Sequence, residues 1–416
     1  MKNDDIFDFE NPQDNNSDDI YSSSDKGQEF EDVYSSSNVG MEEHYYRSDK
    51  NSKKLQKKNK QKKRKRGLIV LLSVLAVLLV AMAVVVSQVA PLLDYNYNDI
   101  EMTNSELGFD QIINKKILNV ALFGVDTRNT ESFKGNTDSI MILSVNTQTK
   151  KIKIISIMRD SLVQIDRDGN TSFRKINSAY ALGGPELAIK TINQNFNLDV
   201  SEYATVNFFG MADIIDAVGG IDVELTEQEV LPVSSGVKAI NETIRGICAE
   251  MDIDPSDYYI TESGKHHLNG IQAVGYSRIR YVANIWGSID DYGRTERQRY
   301  VMEQLFNAVK GMEKTKYLEL IKALIPCTET SLSVDEIFSI ATKVMLGSPV
   351  MEQSRIPLDE YKMKAPRALP SVGSYVYFDR DYAAEVLHAF IYDDIDPTTY
   401  MQENEVRKND WYKDVA

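Results

Sequence analysis

Apolar positions follow three regimes along the 416-residue chain. Residues 1–50 are rich in Asp, Asn and Ser and carry no apolar period that could build a core, so a disordered tail is expected there. Residues 67–86 form a continuous apolar run, GLIVLLSVLAVLLVAMAVVV. From Ile117 onward short β-rich runs alternate with segments of helical period. Residues 117–125 and 139–145 read as strands. In 152–158, Ile152, Ile154 and Ser156 alternate with Lys153, Ile155 and Ile157, as in a strand buried on at least one face. Gly183-Gly184-Pro185 opens a helix with Pro at its first position, and Ala188, Ile192 and Phe196 continue it. After a short strand at 203–207, Met211, Ile214, Ile215 and Val218 recur as one face of an amphipathic helix. Gly219-Gly220 ends it and 221–225 is again a strand. Residues 226–262 read as a long insertion. Helices are expected near 269–276, 295–311, 314–325 and 333–346, then a strand near 374–378 and a helix near 382–391. Interleaved strands and helices predict an α/β fold, a central mixed β-sheet flanked by helices.

Charge gives the apolar run its meaning. Lys53 to Arg66 is a basic stretch ending Lys62-Lys63-Arg64-Lys65-Arg66, and the far flank of the run carries Asp94, Asp99 and Glu101. About 20 apolar residues span a bilayer as a helix, and Lys and Arg stay on its cytoplasmic side. The expected order is a cytoplasmic tail over 1–66, an uncleaved signal-anchor helix over 67–89 and an extracellular linker over 90–116. An extracellular globular domain over 117–395 and a tail over 396–416 complete it. The protein is thus expected in the cell membrane as a single-pass chain with the lipid bilayer as a partner. Within the tail, Asp19-Ile20-Tyr21-Ser22-Ser23-Ser24 is echoed by Asp32-Val33-Tyr34-Ser35-Ser36-Ser37, a docking or phosphorylation motif or low-complexity drift.

Residues 1–66 hold 14 bases and 14 acids, so the net charge of −15 lies wholly beyond Arg66. A domain this acidic excludes general nucleic-acid binding, which needs clustered cations. Cys248 and Cys327, the only cysteines, lack metal-binding spacing and offer one disulfide or two free thiols. No Walker A or dinucleotide glycine motif appears, and none of the four histidines stands in a catalytic pattern.

Charge concentrates instead where strands end. Asp126 and Arg128 follow the first strand, Asp138 precedes the second, and Arg159-Asp160 end the third. Further on come Arg278 and Arg280 in Tyr276-Ser277-Arg278-Ile279-Arg280-Tyr281, then Asp290-Asp291-Tyr292-Gly293-Arg294-Thr295-Glu296-Arg297-Gln298. If 276–281 is extended, Arg278 and Arg280 share a face. If a helix begins near Thr295, Arg297 and Gln298 share the face of Arg294. Guanidinium forks match phosphate oxygens, and paired carboxylates hold Mg²⁺ together with phosphate. Taken singly, each has a plainer reading as a turn residue, a structural ion pair or a solvated helix face. Jointly they fit a metal–pyrophosphate site.

The stretches Asn119–Arg128, Thr137–Met141, Ser156–Asp160, Lys175–Tyr180, Val218–Val223, Leu268–Ala273 and Gly293–Gln298, in this order, resemble the LytR-CpsA-Psr family over roughly residues 117–311. The resemblance implies an enzyme that moves a glycopolymer (teichoic acid, capsule or similar) from a polyprenyl-pyrophosphate carrier to peptidoglycan through a phosphodiester. It implies Mg²⁺ (or Mn²⁺) on Asp126 and Asp138. Arg159, Arg294 and Asp160 would be catalytic, and Arg278, Arg280, Arg297, Gln298 and Arg128 would bind substrate, with either Asp160 or Asp291 as base. A pyrophosphatase side-activity is compatible with the same groups. Two positions depart from the family pattern: Asn136 stands where Arg is frequent, and Met158 where Pro is usual. The alternatives are a membrane-tethered regulator, supported by the basic run, and a non-catalytic wall- or lipid-binding module.

Overall fold

A computed structural model describes residues 96–125, 127, 133–345, 349–365 and 372–411, all within one compact unit, Ala83–Ala416. The expected tail and signal-anchor lie outside the described residues, as do Asp126 and Arg128. Among the described residues, no helix is long and apolar enough to cross a membrane.

Among the described residues, seven strands build the central sheet: β1 (Asn96–Tyr97), β2 (Ile117–Val125), β3 (Thr137–Asn146), β4 (Lys151–Ile157), β7 (Glu202–Asn207), β10 (Thr328–Thr330) and β11 (Val350–Ile356). Their order is β1-β10-β7-β2-β3-β4-β11. β2, β3 and β4 are antiparallel neighbours, whereas β2 pairs with β7 and β4 with β11 in parallel, so the sheet is mixed. Among the antiparallel pairs that lie outside it are β5 (Leu162–Arg167) with β6 (Asn170–Lys175), and β8 (Ile221–Leu225) with β9 (Gly264–Leu268).

Alternation along the strands divides the side chains between two faces. One face presents Phe123, Ile140, Ile142, Ile155, Ile157 and Tyr203 to helices α1 (Ser178–Phe196) and α8 (Arg380–Ile391), which bury Ile189, Ile192, Phe196, Tyr382, Val386 and Phe390 against them. α1 is interrupted at Gly183 and Gly184 and resumes at Pro185, where a helix start was expected. The opposite face presents Leu122, Gly124, Met141, Ala204 and Val206. It is overlaid by α2 (Phe208–Ala217), α4 (Gly270–Ser277), α5 (Asp290–Gly311) and α6 (Tyr317–Leu324), while α3 (Ile240–Met251) packs on α4 and α7 (Val334–Met345) lies further along the chain. α2 and α4 pack so closely that a Cβ on Gly270 would stand 2.1 Å from the Ala212 carbonyl oxygen.

The segment 226–262, read as a long insertion, packs into the domain: its helix α3 buries Ile240, Ile244 and Ile247 in a second core with Val274 and Val301. Two expectations change. The stretch 96–116, read as a linker, packs on the domain through buried Leu107 and through the Ile113 amide, which donates to Asp199. Residues 276–281 are not a strand, because Tyr276 and Ser277 finish α4 and Arg278 is its C-cap. Cys248 and Cys327 are both free thiols.

Candidate active site

The antiparallel register of β3 and β4 pairs Met141 with Ser156, so the start of β3 and the end of β4 meet at one edge of the sheet. Asp138 and Arg159 therefore face each other, and Arg159 donates to the Asp138 carboxylate. Helix α5 begins at Asp290, earlier than the expected Thr295, which places Asp291, Arg294 and Gln298 on successive turns of one face. Arg294 Nη2 lies 2.7 Å from Asp291 Oδ1, and Arg294 Nη1 lies 3.5 Å from Asp138 Oδ2. Arg159 Nε and Arg280 Nη2 each lie 3.5 Å from the same Asp291 oxygen.

A cavity of about 460 Å³ opens here, lined by Asp138, Arg159, Arg278, Arg280, Arg294 and Gln298 with Phe208, Lys238 and Tyr281. The Arg278 guanidinium lies over the Phe208 ring, 4.3 Å from its centroid. Burial lowers the Arg294 pKa, opposed by Asp291 and aided by Arg159. Burial also works against the charge of Arg159, but Asp138 and Asp291 outweigh it and its pKa rises. Arg159 Nε, Arg280 Nε and Arg294 Nε are shielded from solvent yet have no aligned hydrogen-bond partner. Such orphaned polar atoms are costly in a folded protein and mark a place where a ligand completes the bonding.

A second, mostly apolar cavity of about 210 Å³ adjoins the first and shares Phe208 and Gln298 with it. Its floor is the sheet, where Gly124 pairs with Ser139, and its walls include Met211 and Ile214 of α2 and Val301, Met302 and Leu305 of α5. Of the expected amphipathic set, Ile215 is fully buried in the core and Val218 packs against the second cluster. Helix α1 lies away from this groove and covers the other face of the sheet.

Asp160 does not line the arginine cavity. Its carboxylate lies 3.1 Å from Lys175 Nζ and 4.0 Å from Arg159 Nε and faces a third cavity. Arg297 is a correction: it is fully buried, 2.6 Å from Glu229, and donates to the carbonyls of Ile279 and Val282. It anchors the loop carrying Arg280 and cannot reach a ligand. Of the two expected metal ligands, Asp138 is described, and its carboxylate accepts from Arg159 and lies 3.5 Å from Arg294 Nη1. Val125, just before Asp126, pairs with Thr137, just before Asp138. Among the described residues no group of three or more His, Cys, Asp and Glu could hold a metal. Phe208, Lys238 and Tyr281 escaped sequence reasoning; only Tyr281, adjacent to Arg280, carried a usable signal.

The family model of LytR_cpsA_psr matches residues 85–386. The chain is 30% identical over 276 residues to biofilm regulatory protein A of Streptococcus mutans, covering 64% of this chain and 61% of that protein. It thus spans about three fifths of that relative's length. It is 31% identical over 257 residues to the polyisoprenyl-teichoic acid–peptidoglycan teichoic acid transferase TagU of Enterococcus faecalis, covering 61% and 73%. A Streptococcus agalactiae protein of known crystal structure superposes with a TM-score of 0.52 at 23% identity, over 71% of this chain and 90% of that one. Bacillus subtilis TagV superposes at 0.50 and 24%, over 67% and 98%.

Proposed function

The chain belongs to the LytR-CpsA-Psr family, and from that premise we propose that it is a phosphotransferase joining a polyprenyl-pyrophosphate-linked glycopolymer to peptidoglycan. The observation that carries this reading is the junction of the apolar cavity with the arginine cavity across Phe208 and Gln298. A polyprenyl chain needs shelter from water, worth about 0.8 kcal/mol per buried methylene, and its pyrophosphate needs planar cationic donors. Those two environments lie side by side here. The relatives named as teichoic acid transferases support the same donor and acceptor.

In this reading Arg159, Arg278 and Arg280 bind the pyrophosphate oxygens, and Arg294 neutralises charge that builds on the transferring phosphoryl group. A peptidoglycan hydroxyl attacks the sugar-linked phosphorus, and polyprenyl phosphate leaves. Catalysis of this type is positioning and charge neutralisation. Mg²⁺, or Mn²⁺, would be held by Asp138 with Asp126 and would supply further neutralisation of the pyrophosphate. The domain would work outside the membrane, anchored by 67–89, so protease added to intact protoplasts should digest it and spare a tag at Met1.

The deciding assay is transfer from a synthetic polyprenyl-pyrophosphate-linked sugar to peptidoglycan oligomers. Product that needs a divalent cation and the intact Arg159 supports the enzyme. Donor binding without product would favour the binding module. Neither binding nor product would leave the regulator, a reading that rests on the basic run and on one relative's name.

A further inference from the structure

The third cavity, about 490 Å³, is lined by Asn136, Asp138, Arg159, Asp160, Arg174, Lys175, Asn177 and Ser178 with Val372. It shares two residues with the arginine cavity, Asp138 and Arg159, the pair joined directly by an ion pair. Those two side chains are therefore a partition with one cavity on each side. On the donor side stand arginines and the apolar groove. On the other side stand amide and hydroxyl groups, two bases and one carboxylate, with no apolar wall of comparable extent.

We propose that this third cavity is the acceptor subsite for a polyhydroxylated glycan bearing acidic substituents, and that Asp160 takes the proton of the attacking hydroxyl. The inference rests on the phosphotransferase reading above. A phosphorus held at Arg159 would be open to attack from the far side of the partition, while the polyprenyl phosphate leaves toward the groove. The hydroxyl oxygen forms the new bond to phosphorus, the bridging phosphorus–oxygen bond breaks, its electron pair leaves with polyprenyl phosphate, and the hydroxyl proton passes to the Asp160 carboxylate. Lys175, 3.1 Å from Asp160, positions that carboxylate. Exposed Arg174 stands at the rim, facing the acidic groups of the incoming glycan.

The rival base, Asp291, is disqualified by its surroundings. One of its oxygens is within 3.5 Å of three different arginines, and both oxygens are closed to solvent. Three guanidinium groups crowd it, and no acceptor hydroxyl could touch it. Its part is to gather the arginines. The Asp160 side chain is 24% exposed and faces the third cavity.

Two variants test this on the full-length protein. Ser178→Trp fills the third cavity, and Arg174→Glu reverses an exposed rim charge where folding is not at stake. Each is measured for binding of polyprenyl pyrophosphate and for transfer to peptidoglycan oligomers. Donor binding should stay within about twofold of wild type, while the acceptor KM rises about tenfold or more, the mark of lost acceptor binding. Asp160→Asn should lower kcat by about 10²–10⁴-fold, bind donor normally and lose the acid limb of the pH–rate profile. Wild-type acceptor KM in both cavity variants, or an unchanged pH profile in Asp160→Asn, overturns the inference while leaving the donor site standing. Failure of the wild-type protein itself to bind polyprenyl pyrophosphate would instead remove the parent reading.

Discussion

The two faces of the central sheet are covered in opposite ways. On the α1–α8 side large side chains close the core: Phe123 of the sheet meets Tyr180 edge-on at 5.1 Å, and Phe196 of α1 stacks on Phe378 at 6.4 Å. Under α2, α4 and α5 the strands present Gly124, Ser139 and Ala204, and the helices leave a groove above them. The small residues are not a weakness of packing alone. They set the floor of a cavity whose open end meets four arginines. One face supplies stability and the other forgoes some of it to hold a ligand, a division that close-packed interiors allow only where a ligand restores contact.

Truncating the sealed face should have the largest effect on stability. Phe196→Ala is expected to cost about 3–5 kcal/mol, read as a fall in thermal midpoint, with the specific activity of the folded fraction unchanged. A loss of transfer that exceeded the loss of folded protein would break the division between faces. Next comes Arg159→Lys, which keeps the charge and loses the fork. Transfer should fall by about 10²–10³-fold with little change in melting temperature. Smaller again is Met211→Trp, which places a ring in the groove beside the half-buried Met211 position. The KM for a long-chain donor should rise about tenfold, and a donor truncated to one or two isoprene units should be affected less. Equal effects on both donors would mean that the chain lies elsewhere.

The smallest effect is electrostatic and belongs to stability. Burial, opposed by the Ser331 hydroxyl and aided by Glu336 and Asp99, pushes the Glu202 carboxyl up from 4.5 to about 7. Between these values the folded state keeps a proton that the unfolded state has released. Stability therefore falls as pH rises through that window and levels off above it. Glu202→Gln should flatten the fall without altering transfer.

The strands were legible because β-rich runs and alternation are local patterns: β2, β4, β7 and β8 lie close to where they were expected. The charged groups at strand ends were legible as candidates, and Arg159, Arg278, Arg280, Arg294 and Gln298 line one cavity. The rest depends on distant partners. Arg297 looked like a companion of Arg294, but Glu229, far off in sequence, draws it into the core. β10 and the edge strand β11 have pairing partners, β7 and β4, that lie well over a hundred residues earlier. Arg278 and Arg280 share a cavity through a helix end and loop instead of a strand face, because Gly270–Ser277 forms a helix with a capping box at Asn269.

The most direct test of the account is a crystal structure of the protein with polyprenyl pyrophosphate bound. The account predicts the hydrocarbon chain in the groove between Met211 and Met302, with the phosphates within hydrogen-bonding distance of Arg159, Arg278 and Arg280. A chain lying on the α1–α8 side, or phosphates remote from Arg159, would contradict it.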